Sequence, residues 1–598
     1  MRWFRCWGHY APKTKDFLVL GPRALLHLPR SLEGSEAALV VKMATLEAKR
    51  QQLEEQAKKR LKSNDADDTV RTIVLVVDLG TTGVKCSVWS APSGEDSPSP
   101  LGLSLLFTSD TRHTPLQDPN AIIDCIDACV DDVAKEFMVR GVTDSVGIVG
   151  FSTFGMSLVG LDTNDKVVSF STYRGETIIY RDNNDRTVLV PDKIDPSLLD
   201  QESVGVPRPT HNSYALPHML ALAPLVHRYT TVVSLCLERW TGRSRLPISL
   251  SEASWFGLLN WRQGKWEDCA QSPTANKVVS TLPPLADYCD LEQGILAETY
   301  KTRWPCLMSD RVKLLLGIVD GAASTLGSTP FDCANGGEIC VSVGTSAAVR
   351  VMMSRSALVG VAQALTGSGC FVHVLTRDRV VLGGALTDGG SAFDVATGLT
   401  NIDRGELQAQ EESLAMPGDV ICLPFFAASG ERAPQWAGPS IPGAFVGVDS
   451  RTKSEDLVVA AVVGVALRLA EINERLLSNL TVVVREDNAE PPRVFVNGTA
   501  AMKSALWKRA LAGSLECDLW VYRGEDRSDY PGDHDIVRDD STARGIALLA
   551  LGRHIPTSGT RSMDKIWRKP EDDEITKFRA QRARQRRVYS GLLGTMGN

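Results

Sequence analysis

The sequence predicts an α/β protein built from two similar domains. From residue 71 onward, apolar runs typical of β-strands alternate with segments of helical period. Residues 73–89 and 336–353 share one pattern, in which an apolar strand reaches a turn of glycine and hydroxyl residues and a second strand follows. Because this unit occurs twice, far apart in the chain, we expect a duplicated architecture.

The first of these strands ends in an unusual turn. Asp78 closes the apolar run, and Gly80, Thr81, Thr82 and Lys85 follow before the chain becomes apolar again. Glycine lets backbone N–H groups approach an anion, threonine hydroxyls add short donors, and a carboxylate can hold Mg²⁺. The pattern favours a phosphate site with a metal at Asp78, although a tight hairpin with hydroxyl caps is the alternative. A P-loop is excluded, because GxxxxGK[ST] does not occur.

Further elements follow in order. Residues 120–138 have helical period, residues 146–155 form an apolar strand that ends in a polar turn, and the charged tail at 568–593 predicts a surface helix. Proline-punctuated loops at 281–310 indicate a domain boundary close to Asp310.

The first 70 residues differ from this body. Residues 1–30 are rich in Arg and Lys and contain one acidic residue, Asp16, which is typical of an organelle transit peptide. Initiation at Met43 is the alternative. Residues 44–62 favour a charged helix that precedes a polar linker. We expect this leader to be poorly ordered and the folded body to begin near Arg71.

Composition excludes several classes of protein. The 598 residues carry a formal net charge of −7, which argues against a nucleic-acid-binding protein, since such a protein needs a basic face. No run of 18 apolar residues predicts a membrane span. None of the 13 cysteines forms a CxxC pair, so a reduced compartment is favoured. We expect a cytoplasmic protein, or an organellar one if the leader is a transit peptide.

Both turns carry a family resemblance. Residues 78–85, DLGTTGVK, resemble the first phosphate motif of the actin–Hsp70–sugar-kinase superfamily, and residues 340–349, CVSVGTSAAV, resemble the second. Six further segments are similar to the FGGY carbohydrate kinases, and within them to the gluconokinase-like branch: 211–220, 251–266, 317–328, 383–394, 423–436 and 541–551. The resemblance covers about residues 71–555 in order.

This resemblance implies a fold and a reaction. The fold would be two ribonuclease-H-like domains flanking a nucleotide cleft, with the sugar side in 71–310, the ATP side in 311–555 and a charged tail in 556–598. ATP and Mg²⁺ would bind in the cleft, and a small sugar or sugar acid would be phosphorylated. D-Gluconate is the first choice of substrate. Homodimers are common in this family.

The resemblance also assigns residues on the ATP side. Asp320 would be the catalytic base that takes the proton of a sugar hydroxyl, although an Asp at the start of a helix is also a favoured N-cap. The second phosphate turn would consist of Gly344, Thr345 and Ser346. The nucleotide would also contact Asn497 and Gly498, in a segment where glycines common in the family are replaced.

The sugar side departs further from the family pattern. Gly155 and Met156 stand where a Trp–His pair is usual, and Gly175 stands where an Asp is usual. The candidate substrate residues are Met156, Ser157, Tyr173, His211 and Tyr214. A buried histidine satisfied by backbone is the alternative for His211. These departures keep other substrates open, namely xylulose, ribulose, sedoheptulose or a polyol, and also a pseudokinase that binds without catalysis.

Overall fold

The structure is a computed structural model. It describes residues 71–92, 103–109, 111–113, 118–140, 145–172, 176–180, 186–189, 201–207, 209–267, 273–307, 310–332, 336–358, 369–416, 418–427, 441–481, 492–523, 540–555 and 563–596. The predictions for the leader therefore lie outside the described residues.

Strands and helices alternate through these ranges, as the sequence predicts. The strands are β1 Arg71–Leu79, β2 Gly83–Pro92, β3 Ser104–Thr108, β4 Arg112–His113, β5 Val146–Thr153, β6 Ser157–Leu161, β7 Val167–Thr172, β8 Glu176–Ile179, β9 Arg186–Leu189, β10 Arg228–Thr231, β11 Ile248–Ser249, β12 Leu259–Asn260, β13 Lys265–Trp266, β14 Leu285–Ala286, β15 Lys313–Val319, β16 Phe331–Asp332, β17 Gly336–Gly337, β18 Ile339–Val343, β19 Ala347–Ser354, β20 Phe371–Val374, β21 Arg379–Leu386, β22 Ile421–Leu423, β23 Ala444–Val446, β24 Val494–Asn497, β25 Leu519–Tyr522 and β26 Met563–Trp567.

The described α-helices range from 4 to 28 residues in length. They are α1 Pro119–Arg140, α2 Gln201–Val204, α3 Ala215–Leu222, α4 Val232–Thr241, α5 Leu250–Ala253, α6 Pro273–Val279, α7 Glu298–Arg303, α8 Asp320–Ser328, α9 Gly390–Thr400, α10 Arg404–Gln410, α11 Ser454–Thr481, α12 Thr499–Lys503, α13 Ala505–Leu515, α14 Ser541–Ala550 and α15 Asp572–Met596. Short 3₁₀ turns cover Ser254–Phe256, Ser356–Leu358 and Glu411–Ser413.

The first large sheet has the strand order β15-β5-β1-β2-β3, and β4 also pairs with β2. Strands β1 and β2 form the predicted antiparallel hairpin, in which Asp78 lies opposite Lys85. Strands β5 and β1 are parallel, and so are β15 and β5. Because β15 follows residue 310 in the chain, this sheet takes one strand from beyond the predicted domain boundary, and the boundary itself stays a prediction.

The second large sheet repeats this arrangement. Its order is β20-β21-β19-β18-β24-β25-β26. Strands β18 and β19 form an antiparallel hairpin around residues 344–346, and β24 runs parallel to β18, as β5 does to β1. A third, five-stranded sheet has the order β10-β6-β7-β8-β9. The two hairpins that the sequence pairs thus occupy equivalent places in two sheets.

Helices α8 and α14 cross at very close range. A Cβ placed on Gly327 would lie 1.9 Å from the carbonyl oxygen of Ser541, and one placed on Gly545 would lie 1.9 Å from that of Ala323. Only glycine permits such an approach, since any side chain would overlap the facing backbone. Residues of both helices share one buried core with strands of both large sheets, among them Val74 of the first.

The charged tail forms helix α15, and one of its faces is buried. Ile575, Phe578 and Tyr589 belong to the core, and the amide of Gln585 donates to the carbonyl oxygens of Cys422 and Gly464. The predicted surface helix is therefore present but packs along one side. Within the described residues, no helix is both long and apolar enough to cross a membrane.

Candidate active site

Three neighbouring parallel strands bring two carboxylates to one edge of the first sheet. Leu79 at the end of β1 lies opposite Thr153 of β5, which lies opposite Val319 of β15. Asp78 precedes the first of these ends and Asp320 follows the last. Since adjacent strands are about 4.8 Å apart, the two backbones are separated by about 10 Å across the sheet.

The first turn is closed by its own backbone. Gly80 N–H donates to the carbonyl oxygen of Gly83 at 3.0 Å, while Thr82 is exposed and Thr81 half-buried. Asp78 is half-buried and accepts a hydrogen bond from Ser152 Oγ. A carboxylate offers several lone pairs, which suit a cation or its water shell.

Lys85 makes an ion pair that the sequence did not indicate. Its Nζ lies 2.9 Å from Asp540 Oδ1, just before helix α14. The Lys85 side chain is only 25% exposed, so it lies against the hairpin rather than extending into solvent. Its charge is partly neutralised by Asp540.

Asp320 is the first residue of helix α8 and is half-buried. Its Oδ1 accepts the backbone N–H of Gly321 at 2.6 Å, whereas an N-cap side chain accepts the N–H two or three residues further on, and the cap position itself is Val319. The backbone N–H of Val319 donates to Ser251 Oγ at 3.2 Å. These bonds fix the end of β15, and with it the place of the carboxylate.

The second turn is braced by the segment that follows β21. Gly389 N–H donates to the carbonyl oxygen of Thr345 at 2.9 Å, and Gly390 N–H donates to that of Gly344 at 2.7 Å. A Cβ on Gly389 would lie 2.4 Å from the backbone of Ser346, so only glycine fits there. Gly344 and Thr345 are exposed, and the turn is therefore rigid yet accessible to an anion.

Asp388 anchors this brace. The buried carboxylate accepts hydrogen bonds from Ser391 Oγ at 2.7 Å and from the backbone N–H groups of Phe426 and Ala427 at 2.7 and 2.9 Å. Sequence reasoning did not single out this residue. An Asp followed by two glycines and a serine is the local signal that could have indicated it.

Asn497 and Gly498 lie at the end of β24, beside the second turn. The Asn497 amide is buried and donates to Ser328 Oγ of helix α8 at 2.9 Å. Gly498 has φ +89°, and a Cβ there would lie 2.4 Å from the carbonyl oxygen of Val343. Asn497 therefore ties the second sheet to α8, and any contact of this segment with a nucleotide would use its backbone.

The candidate substrate residues have different surroundings. Met156 is buried with φ +44°, and Ser157 is also buried. His211 is buried, and its Nδ1 lies 2.8 Å from Ser213 Oγ. Tyr214 is 6% exposed and contacts the Trp255 ring at 5.6 Å between centroids. Tyr173 lies outside the described residues.

A pocket at the start of α8 contains residues that sequence reasoning missed. The residues that line it are Ser251, Trp255, Val319, Gly321, Ala322, Arg350, Phe371, His373, Val381 and Ala385. The sequence favours a core position for Trp255, yet its ring is only partly buried and packs over Gly155. No short-range pattern links these residues, because they come from four separate segments of the chain.

The donor groups fit a nucleotide better than a protein-bound metal. Both turns present backbone and hydroxyl groups suited to phosphate. Within the described residues, no group of three or more His, Cys, Asp or Glu side chains is placed to hold a metal ion. A magnesium ion at Asp78 would therefore take most of its ligands from phosphate oxygens and water, as Mg²⁺ usually does.

Known proteins resemble this chain in sequence. Residues 339–528 match the C-terminal domain of the FGGY family of carbohydrate kinases. A gluconokinase of Bacillus licheniformis is 23% identical over 477 residues, which is 75% of this chain and 84% of that protein.

Solved structures agree in fold. A gluconate kinase from Lactobacillus acidophilus has a TM-score of 0.62 at 18% identity, covering 88% of this chain and 99% of its own. A xylulose kinase from the same organism gives the same values. The predicted α/β fold of the actin, Hsp70 and sugar-kinase type is thereby confirmed. The C-terminal domain match over residues 339–528 and the gluconokinase relatives together support a carbohydrate kinase of the FGGY family.

Proposed function

We propose that this kinase transfers the γ-phosphoryl group of ATP to a terminal hydroxyl of a small sugar acid or polyol, with D-gluconate as substrate and 6-phosphogluconate as product. The observation that carries the proposal is the placement of Asp320. It follows the strand end that shares an edge with Asp78, and its neighbours Val319 and Gly321 line the pocket at the start of α8.

Asp320 would act as the general base. A sugar hydroxyl is a weak nucleophile, and its proton would pass to the Asp320 carboxylate as the oxygen forms its bond to the γ-phosphorus. The bond between that phosphorus and the β–γ bridging oxygen would break, and ADP would leave. General-base assistance of this kind contributes about 10²–10⁴-fold to the rate.

The two turns would hold the phosphates in line for this transfer. When bound, Mg²⁺–ATP supplies the electrophilic γ-phosphoryl group, and the metal neutralises charge on it. The first turn offers Gly80, Thr81, Thr82 and the shared charge of Lys85, with Asp78 toward the metal. The second turn would use the exposed Gly344 and Thr345, together with Ser346.

Gluconate is favoured over the other sugars by the gluconokinase relatives. The resemblance in fold extends equally to a xylulose kinase, so ketoses remain the second choice of substrate. A pseudokinase is the alternative from another class, and it is favoured by Gly155 and Met156, which stand in the place of the family's usual Trp–His pair.

A panel of substrates tests this proposal. Purified protein with Mg²⁺–ATP would be incubated with gluconate, xylulose, ribulose, sedoheptulose, glycerol and erythritol while ADP release is recorded. We expect the highest kcat/KM with gluconate. ATP binding without turnover of any member would contradict the kinase and support the pseudokinase.

The base is tested by Asp320→Asn. We expect kcat to fall at least about 10²-fold while ATP binding, measured by calorimetry, persists. Asp310→Asn is the matched control, because the Asp310 side chain is 90% exposed. Near-normal turnover by Asp320→Asn would remove that residue from its role.

A further inference from the structure

The indole ring of Trp255 occupies the space that a side chain at position 155 would need. A Cβ placed on Gly155 would lie 2.7, 2.8 and 2.9 Å from Cε2, Cζ2 and Cδ2 of that ring. Such close contacts between carbon atoms are strongly repulsive, so the ring has its place only because residue 155 is glycine. Gly155 and Met156 stand where the family pattern has a Trp–His pair, and the tryptophan at this point of the fold comes from position 255 instead.

This ring lies at the sheet edge where the candidate catalytic residues are found. Gly155 follows the end of β5, which is the strand between β1 and β15. Trp255 also lines the pocket at the start of α8. Two further residues of that pocket are Val319 and Gly321, the neighbours of Asp320. The indole therefore extends from the end of β5 to the place where an acceptor hydroxyl must lie to reach Asp320.

Neighbouring groups hold the ring in this place. The rings of Tyr214 and His373 lie 5.6 and 5.2 Å from that of Trp255, measured between centroids. Ser254 Oγ accepts the backbone N–H of Val374 at 2.9 Å, which fixes the turn that carries the indole to strand β20. Because the ring is packed on several sides, it forms a rigid wall of the pocket.

The pocket beside this wall is small. Its volume is about 20 Å³. A buried water molecule needs a cavity of about 10–15 Å³, so the pocket takes about two heavy atoms. These would be the carbon and the oxygen of one hydroxymethyl group. The Arg350 guanidinium closes the pocket next to Gly321, since a Cβ on that glycine would lie 2.6 Å from Nη2. The other atoms of an acceptor must therefore lie outside this pocket.

We infer that Trp255 is a specificity-determining residue that restricts the acceptor to an unbranched hydroxymethyl end. With the indole over Gly155, the carbon that bears the reacting hydroxyl can carry two hydrogens and one chain, because the pocket has no room for a second substituent. Primary hydroxyls of open-chain sugar acids or polyols would reach Asp320, and secondary hydroxyls would not. This inference rests on the proposed kinase function, and it adds which hydroxyl reacts and which residue selects it.

Two acceptors that differ by one oxygen atom test the inference. D-Gluconate ends in a hydroxymethyl group, whereas 6-deoxy-D-gluconate ends in a methyl group and its hydroxyls are all secondary. We expect wild-type kcat/KM to be at least about 10²-fold lower with 6-deoxy-D-gluconate, since one carbon too many in a pocket costs about 10–200-fold. Trp255→Ala should reduce this ratio to less than about tenfold. If the panel favours another sugar, its terminally deoxygenated counterpart takes the place of 6-deoxy-D-gluconate.

The position of the phosphate in the product gives a second readout. NMR of the product from gluconate should show phosphate on O6 alone for the wild type, and also on secondary oxygens for Trp255→Ala. Trp255→Phe keeps a ring and should give an intermediate ratio of the two kcat/KM values. An unchanged ratio in Trp255→Ala, with phosphate on O6 alone, would overturn the inference.

Trp266→Ala separates selection of the acceptor from general damage to the fold. The Trp266 ring is also half-buried, lies 5.3 Å from that of Phe256 and donates Nε1–H to the carbonyl oxygen of Pro283. It is absent from the described residues that line the pocket. Trp266→Ala should therefore lower Tm and keep the wild-type ratio. A ratio that falls equally in Trp255→Ala and Trp266→Ala would contradict the inference.

Gly155→Ala tests the contact itself. The added methyl group would push the indole toward the pocket and should lower kcat/KM for gluconate at least about tenfold in the wild-type background. In the Trp255→Ala background the ring is gone, and the same change should cost less than about threefold. Equal losses in the two backgrounds would refute the contact between the two residues.

Failure of the inference and failure of the proposed function give different results. An enzyme that phosphorylates gluconate and 6-deoxy-D-gluconate equally well would refute the inference and leave the kinase intact. If no acceptor is phosphorylated, the kinase proposal fails, and calorimetry decides on Trp255. Relative to gluconate, Trp255→Ala should then bind 6-deoxy-D-gluconate at least about tenfold more tightly than the wild type does, and equal or absent binding would overturn the inference.

Discussion

The crossing of α8 and α14 makes a quantitative prediction for Gly327→Ala. The new methyl carbon would lie 1.9 Å from the Ser541 carbonyl oxygen, while ordinary contact begins at 3.4 Å. The two helices must therefore separate locally by about 1.5 Å, because the obstacle is backbone and cannot rotate away. Helix α8 begins at Asp320, so its displacement reaches the candidate site.

The separation of the two helices should lower both the thermal stability and the turnover rate. Overpacking of a core typically costs about 1–3 kcal/mol, and this overlap is at the upper end, so Tm should fall by at least about 3 °C. A displacement of about 1 Å at a reacting group can cost about 10²-fold in rate, and we expect kcat to fall by about 10- to 100-fold.

The assay combines thermal unfolding with ADP release on the best substrate of the panel. Gly398→Ala is the matched control, because Gly398 lies in helix α9 with no atom within 4 Å of a new Cβ. That control should gain up to about 1 kcal/mol of stability and keep its activity. If Gly327→Ala unfolds at the wild-type temperature with unchanged kcat, the close crossing is refuted.

Three other changes test separate parts of the molecule. Complete burial against Gly317 raises the pKa of Glu252 to about 7. The protonated Glu252 side chain therefore contributes fully to the free energy of unfolding below pH 4.5, and this contribution is lost as the pH rises through 7. Glu252→Gln should flatten the decline in Tm between pH 5 and 8, and an unchanged pH profile would contradict this. Asp388→Ala removes three hydrogen bonds from the brace of the second turn and should raise KM for ATP at least about tenfold and lower Tm. Asp540→Asn should change the free energy of unfolding by less than about 1 kcal/mol, since its ion pair with Lys85 is partly exposed. Lys85→Met, in contrast, should raise KM for ATP. Equal KM values for ATP in the two variants would argue against Lys85 as a phosphate ligand.

The hairpins could be predicted from the sequence because their signals are local. Apolar runs of β-branched residues on either side of glycine and hydroxyl residues specify strand, turn and strand without reference to the rest of the chain. The strand that ends at Val319 could be predicted in the same way. The position of Asp320 beside the other strand ends depended on the family resemblance.

The pocket could not be predicted, because the residues that line it lie far apart in the sequence. Arg350 occupies an ordinary strand position, Trp255 resembles a core aromatic, and His373 lies in an apolar run. Only the folding of β19, β20 and the turn at Ser254–Phe256 around α8 brings these side chains together. The buried face of α15 could not be recognised from the spacing of apolar residues, because polar glutamines such as Gln585 occupy part of that face.

The first sheet depends on residues that are synthesised last. Its edge strand β15 ends at residue 319, and the α14 side chain of Ile546 packs against Gly150 in the neighbouring strand β5. While the chain is being translated, the face of this sheet that α14 covers therefore lacks its helix until nearly the whole protein has left the ribosome, whereas α1 and α4 already pack on the other face. A fragment that stops at residue 310 would expose a bare apolar face, which makes it a substrate for chaperones and a poor choice for separate expression.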